Sequence, residues 1–428
     1  MCASQNKPPG PETGYRTSDD LLEWMSRQFE TFGDIYGASV YGIFMYAVRD
    51  AEFAYHVLVE NAQNYVKGLM TKRVALLLRN GLMVTEGSVW TRQRRMIQPS
   101  FNHKSLSTLP DLITGVNSRL LAKWQLAARQ NASVNVTRDV SGMALEVVLR
   151  FIFGGDYEQL ACHFGLLSQE PARNIGFAQA FRSLGDKIHP VIQQRRKSRP
   201  SLPDALDSMM QERDAQSGDL MSDNQLVDEV LTLMVAGHET TASTLSWAWY
   251  LISQHPEVEQ RLAHEVSGAA NSVAYNDLPR FPYTRQVIDE TMRLYPAGWL
   301  LTRKALHDDW LGKYFVPAGI EIYVPPYFIQ RNPRYWKDPD RFDPDRFAPG
   351  SLKHSHRLAS LPFSSGPRNC IGAAFARIEM QIHLMTIAKH LRLRYIPSGP
   401  VKLDAGVNLR STDDFIMYPE TYVDGARD

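Results

Sequence analysis

The sequence predicts a mainly α-helical protein with small β-sheets, built as one large domain around a long central helix. Three observations lead there. From about Thr85 to Leu294, apolar residues recur at three- and four-residue spacing, with breaks at Pro99, Gly154 to Asp156, Pro171, Pro200 and Pro256. One apolar row, Leu226, Val230, Leu233, Gly237, Thr241, Leu245, Ala248, Ile252, continues unbroken to His255-Pro256. Finally, β-branched and aromatic residues gather in short stretches outside this body, in SVYGIFMYAV and LGKYFVPAGIEIYVPP.

In chain order, SVYGIFMYAV at 39–48 reads as a strand. DAEFAYHVLVENAQNY follows it, with Asp50 placed to cap a helix. Ser222 and Gln225 form a capping-box pattern at the head of the central helix, which at about 1.5 Å per residue is roughly 50 Å long. LGKYFVPAGIEIYVPP alternates and turns at Pro317-Ala318-Gly319, which predicts a hairpin. KDPDRFDPDRFAPG, at 337–350, is turn-rich and irregular.

Composition narrows the function. With 44% hydrophobic and 22% charged residues, the chain of 428 residues can bury a large core, and no Gly/Ser-rich or Pro-rich linker divides it. A net charge of +1 argues against a nucleic-acid binder or a cationic membrane-surface protein and favours small-molecule chemistry. The cluster Arg195, Arg196, Lys197, Arg199 reads as a solvated loop between helices. Cys2, Cys162 and Cys370 are far apart and form no CxxC pair, so neither a disulfide framework nor a zinc finger is available. With no secretory pattern at the N-terminus and no apolar run of eighteen residues, the expectation is a soluble cytoplasmic protein with no membrane anchor.

The chemistry concentrates at FSSGPRNCIG, residues 363–372. Gly366 and Gly372 permit tight turns, Arg368 sets a guanidinium two residues before the thiol, and a helical pattern starts just after Cys370 with its positive end at the sulfur. Such a thiol is held as thiolate, which suits an axial ligand to haem iron. Within the central helix, AGHETT places Gly237 and two threonines where good helix formers are expected. Small Ala236 and Gly237 let the backbone approach a flat cofactor, and Thr240 can divert a backbone hydrogen bond to its hydroxyl, distorting the helix locally. Glu239 and Thr240 together supply an acid and an alcohol for proton delivery. His238 reads as a core or salt-bridge histidine and not as a ligand.

The spacing Phe363-x-x-Gly366-x-Arg368-x-Cys370-x-Gly372 resembles the haem-binding signature of the cytochrome P-450 superfamily. The resemblance covers about residues 30–420 and extends to other parts of the chain. AGHETT is similar to the family's oxygen-binding motif, and Glu290 with Arg293 in DETMRLYP matches its ExxR, completed by Arg346. Trp90 and Arg94 resemble its WxxxR, and Arg303 falls where members place a propionate-binding base. Arg94 and Arg303 can also be read as surface cations.

The resemblance implies a single triangular helical domain around a buried haem b, with the central helix over the haem. It also implies Cys370 as iron ligand, Phe363 beside the sulfur, Arg368 on a propionate, and a mobile lid over Phe164 to Lys197. By the same register the substrate pocket would take Leu82, Met83, Met234, Ala297, Gly298, Trp299 and Leu300. Their apolar character implies a fatty acyl, terpenoid or polyketide substrate, hydroxylated or epoxidised with O2.

No GxGxxG follows a strand and no cysteine set for a cluster is present, so no reductase is fused. Electrons are then expected from a separate ferredoxin or flavodoxin fed by an NAD(P)H reductase. The partner would dock on a monomer near Arg92, Arg95, Lys353 and Arg357, though those charges also read as a solvated surface. A peroxide-using or non-oxygenating haem-thiolate enzyme, or a haem-based sensor, is the alternative; an intact Glu239-Thr240 pair weighs against both.

Overall fold

The computed structural model describes residues 6–16, 20–69, 71, 75, 78–164, 175–200, 202–397 and 399–422. The middle of the expected lid, 165–174, lies outside the described residues. By its internal contacts the chain forms two compact units, one from residues 1–74, 289–370 and 403–410, the other from the remainder.

The first unit is organised on a five-stranded sheet in the order Ile35–Val40, Ile43–Val48, Glu321–Val324, Leu301–Ala305, Tyr65–Lys67. SVYGIFMYAV is not one strand. Tyr41 (φ 51°) and Gly42 (φ 79°) both adopt left-handed backbone, which makes a tight turn whose twist matches a hairpin, and Val40 pairs with Ile43 across it. The strands show no polar alternation because both faces are covered. Ile35, Tyr46, Val48, Ile322 and Val324 feed one apolar cluster, and Tyr36, Ala38, Val40, Met45, Ala47 and Tyr323 feed a second.

The expected hairpin at Pro317-Ala318-Gly319 is also corrected. Tyr314–Val316 pairs backward with Asp309–Leu311, while Glu321–Val324 joins the main sheet between Leu301–Lys304 and, in parallel, Met45–Ala47. Asp50 caps as expected, accepting from the N–H groups of Glu52 and Phe53. Its helix Ala51–Tyr55 then loosens into a π-helical turn, His56–Glu60. Residues 337–350 are irregular as expected, apart from a short 3₁₀ turn at Pro344–Phe347.

The second unit is mostly helical. Its axis is the helix Asp223–Gln254, 32 residues and thus about 48 Å long, capped by Ser222, whose hydroxyl accepts from Gln225 N–H at 3.2 Å. Only half of a capping box forms, because the Gln225 amide oxygen accepts from Arg92. Helices Leu109–Arg129, Val136–Phe153, Ile175–Lys197 and Ala373–Ala388 pack in the same unit. Three of the unit's helices meet in one polar chain: Trp249 donates to His383 Nε2 at 2.9 Å, and His383 Nδ1 donates to Asn117 Oδ1 at 2.6 Å. Burial holds His383 neutral, its pKa pulled down to about 3. Of the Arg195 cluster, Arg196, Lys197 and Arg199 are exposed as expected, but Arg195 is not, and the helix runs through Lys197. Arg195 is buried in the last turn of Ile175–Lys197, bonded to Asp156, to both carboxylate oxygens of Asp204 and to the Phe153 carbonyl.

Glu379, fully buried in the helix Ala373–Ala388, has no hydrogen-bond partner on either carboxyl oxygen among the described residues. Burial pushes its pKa well above the ordinary 4.5, so the folded protein holds a neutral acid where the unfolded chain holds a carboxylate. Because the folded state binds the extra proton, this group's contribution to stability falls as pH rises above the unfolded titration, by about 1.4 kcal/mol per pH unit until the folded carboxyl ionises. Glu379→Gln removes that slope. Denaturant unfolding of variant and wild type should give similar stability near pH 4 and a widening advantage for the variant toward pH 8; parallel pH profiles would show that Glu379 ionises in the fold.

Candidate functional site

In the first unit, Phe363 to Cys370 forms a loop closed on itself by the Cys370 N–H, which donates to the Phe363 carbonyl at 3.0 Å. Two left-handed residues, Ser364 (φ 60°) and Gly366 (φ 73°), turn the chain. A Cβ on Gly366 would also fall 2.0 Å from the Leu58 carbonyl oxygen. Glycine is therefore required there by the close approach of the π-helical turn, a reason the sequence does not disclose. Arg368 ends a short 3₁₀ turn, Gly366–Arg368. Cys370 is exposed and in no disulfide, and the helix Ala373–Ala388 begins three residues later, with Gly372 (φ −88°) as its N-cap.

The same unit holds a buried polar network. Glu290 and Arg293, both fully buried, share one face of the helix Pro282–Leu294 and form a fork: Nε to Oε2 at 2.6 Å and Nη2 to Oε1 at 2.8 Å. The remaining guanidinium hydrogens go to the carbonyls of Gln330 (2.8 Å), Pro339 (2.6 Å) and Arg341 (3.2 Å), so all five donors are used. Burial pushes the Glu290 carboxyl up, opposed by the Arg293 fork and by the Asp343 N–H that donates to it at 2.9 Å. Arg346 completes the network as expected, 3.4 Å from Glu290 and bonded to the Lys337 and Asp338 carbonyls.

Sequence reasoning missed Gln330. Its amide donates to the carbonyls of Met292 and Arg293, and its oxygen accepts from the Leu361 N–H at 2.7 Å, two residues before Phe363. An isolated glutamine carries no motif, so no signal was available.

Arg303 is buried, 8% exposed, on the strand Leu301–Ala305, which corrects its reading as a surface cation. Trp299 is 1% exposed in an apolar cluster of the first unit, and its indole donates to the Gly406 carbonyl at 3.0 Å. Its indole ring packs in that cluster. Ala297 is buried next to it and Leu300 is half-buried.

In the second unit, Ala236 to Thr241 sits in an unbroken α-helix. Thr240 donates to the Ala236 carbonyl at 2.8 Å as expected, but no break in the helix results. Gly237 has a packing role: a Cβ there would meet Val148 Cγ2 at 2.9 Å, so the glycine lets Val136–Phe153 approach. His238 is a core histidine, hydrogen-bonded to Ser141 at 2.8 Å and pulled down to about 4 by burial. Glu239 and Thr240 are half-buried, and Met234 is buried. Trp90 and Arg94, both half-buried, lie one turn apart on the helix Gly87–Ile97. Arg92 is engaged by Asp214 at 2.8 Å and by Gln225 at 3.0 Å, so it is not a spare docking charge; Arg95, Lys353 and Arg357 are exposed.

The first unit thus holds, close together in sequence, an exposed thiol closing a tight loop and a basic residue two positions before it, with a buried ion-pair frame in the same unit. The donor chemistry fits a haem iron. The chain belongs to the cytochrome P450 family, whose sequence profile matches residues 10–163 and 172–414. Cyclooctatin synthase of Streptomyces melanosporofaciens is 33% identical over 372 residues, covering 82% of this chain and 81% of that protein. The cyclooctat-9-en-7-ol 5-monooxygenase of the same organism is 31% identical, covering 79% and 78%. In fold, the chain resembles the retinoic acid bound cyanobacterial CYP120A1, with a TM-score of 0.88 over 97% of this chain and 99% of that one at 23% identity. The protein is an oxygen-incorporating oxidoreductase whose family uses haem iron, O2, a redox partner and a hydrophobic substrate. No helix among the described residues is long and apolar enough to cross a membrane.

Arg293→Lys keeps the charge and loses the fork and at least two of the five hydrogen bonds. The expected cost is about 2 to 5 kcal/mol, from leaving at least two buried acceptors without a donor. Equilibrium unfolding tests it; a loss below about 1 kcal/mol would mean the pair is dispensable.

Proposed function

We propose that this protein is a haem b monooxygenase that hydroxylates or epoxidises a hydrophobic, carbocyclic terpenoid-type molecule. It works as a cytoplasmic monomer, as one folding domain, with electrons from a separate ferredoxin or flavodoxin and its NAD(P)H reductase. Cys370 carries the reading, as an exposed thiol held at the mouth of a loop closed by its own N–H. The substrate class is supported by the two Streptomyces relatives, one of them named for oxygenation of a cyclic alkenol.

When bound, the haem supplies the oxygen-activating chemistry. Cys370 ligates it as thiolate, with Phe363 packed near the sulfur and the turn at Gly366 and Gly372 fixing the approach. Trp90, Arg94, Arg303 and Arg368 hold the propionates. Ala236 and Gly237 leave the helix narrow where the cofactor lies. The Thr240 hydroxyl hydrogen is committed to the Ala236 carbonyl, so its oxygen accepts a hydrogen bond from an incoming water. Glu239 beside it passes protons inward from solvent. Leu82, Met83, Met234, Ala297 and Leu300 supply the apolar wall that orients the substrate and excludes water.

Reduction under carbon monoxide should give a strongly red-shifted Soret band that is lost in Cys370→Ser; a histidine-type band in the wild type would overturn the assignment. Glu239→Gln should lower product formation by about 10²-fold while leaving the substrate-induced spin shift intact. Unchanged turnover would remove Glu239 from proton delivery.

A further inference from the structure

The loop Arg79 to Thr85, which contains the pocket candidates Leu82 and Met83, is held by a set of side chains that no sequence motif announces. Leu82 N–H donates to Glu229 Oε2 at 2.8 Å, and Glu229 is fully buried. Asn80 N–H donates to Asp228 Oδ2 at 3.3 Å, the Asn80 carbonyl accepts from Gln93 Nε2 at 2.6 Å, and Thr85 donates to Gln93 Oε1. Gly81 is pressed against the same helix, where a Cβ would fall 1.9 Å from Thr232 Oγ1 and 2.7 Å from the Asp228 carbonyl. Arg79 takes a left-handed conformation, φ 51°, to enter this seat.

The positions on the helix matter. Residues 229, 233, 236 and 240 follow four-, three- and four-residue steps and so lie on one stripe. Glu229 therefore grips the loop on the face that carries Ala236 and Thr240, about 16 Å along the axis from Thr240. Gly81 sits against Thr232, one turn from Ala236.

We propose that Glu229 is a positioning residue for substrate, which together with Gln93 fixes Leu82 and Met83 as an immobile wall over that stripe and so sets which carbon of the substrate is oxidised. The inference rests on the haem-monooxygenase reading and on Leu82 and Met83 facing substrate. Burial keeps water from competing for the Glu229 oxygen that accepts from Leu82 N–H, so the bond is not exchanged for a solvent one. The seat leaves no room for a side chain at position 81, so loop register and helix register are locked together.

The test compares Glu229→Gln, which keeps an oxygen acceptor, with Glu229→Leu, which does not, both as haem-loaded enzyme. In Glu229→Leu the Leu82 amide should exchange with deuterium about 2- to 10-fold faster, the fold-change for losing an ordinary hydrogen bond. Substrate affinity by spin-state titration should fall about tenfold and product ratios should shift across a panel of cyclic terpenes, with the carbon monoxide spectrum intact; Glu229→Gln should restore most of each. Unchanged exchange at Leu82 overturns the latch. Faster exchange with unaltered affinity and product ratios overturns the substrate role, while an intact spectrum shows that the haem-thiolate reading survives. If Glu229→Leu does not accumulate, Gly81→Ala displaces the loop from the other side and should shift product ratios in the same way; unaltered ratios there overturn the proposal equally.

Discussion

The first unit depends on one buried guanidinium. Arg293 ends a helix and reaches three carbonyls of a stretch, 330–341, that has almost no regular structure of its own. Such a stretch cannot satisfy its own backbone groups, and each left unpaired in the core would cost about 1 to 3 kcal/mol. A planar fork with five fixed donors solves several of these at once. It is tolerable in the core only because Glu290 neutralises it and Trp336 covers its face, 5.2 Å from the ring centroid.

The influence of that pair runs onward through Gln330, which is bonded on one side to the helix end and on the other to Leu361. Leu361 leads directly into the loop that presents Cys370. The opposite side of the loop is fixed by Leu58, whose carbonyl occupies the space a side chain at 366 would need. The Cys370 thiol is thus placed by contacts well away from it in sequence. The same economy appears in the second unit, where Gly81 and Gly237 each bring two elements together by omitting a side chain.

Much of the functional reading was legible because chemistry fixes spacing. A loop that turns tightly around a thiol, a charged pair on one helical face and a threonine able to bond four residues back are local patterns, and the structure shows each in place. The central helix was legible to within a few residues from its apolar row and its Ser222 cap. What could not be read were choices among equivalent partners. IYGASV and IFMYAV look alike as strands, and only the left-handed pair Tyr41-Gly42 separates them. Arg195 and Arg92 look like surface cations until Asp204 and Asp214 are brought beside them.

By itself the sequence determined the helical body, the irregular stretch before the thiol loop and the family to which the chain belongs, because periodicity, capping and motif spacing are properties of neighbouring residues. The tertiary structure alone decided which strand pairs with which, that Gly237 serves Val148, that Trp299 is core, and that Glu229 and Gln93 seat the loop at Leu82. Most of those are contacts between residues tens to hundreds of positions apart, where the chain offers many sterically similar partners and only simultaneous burial of all of them selects one.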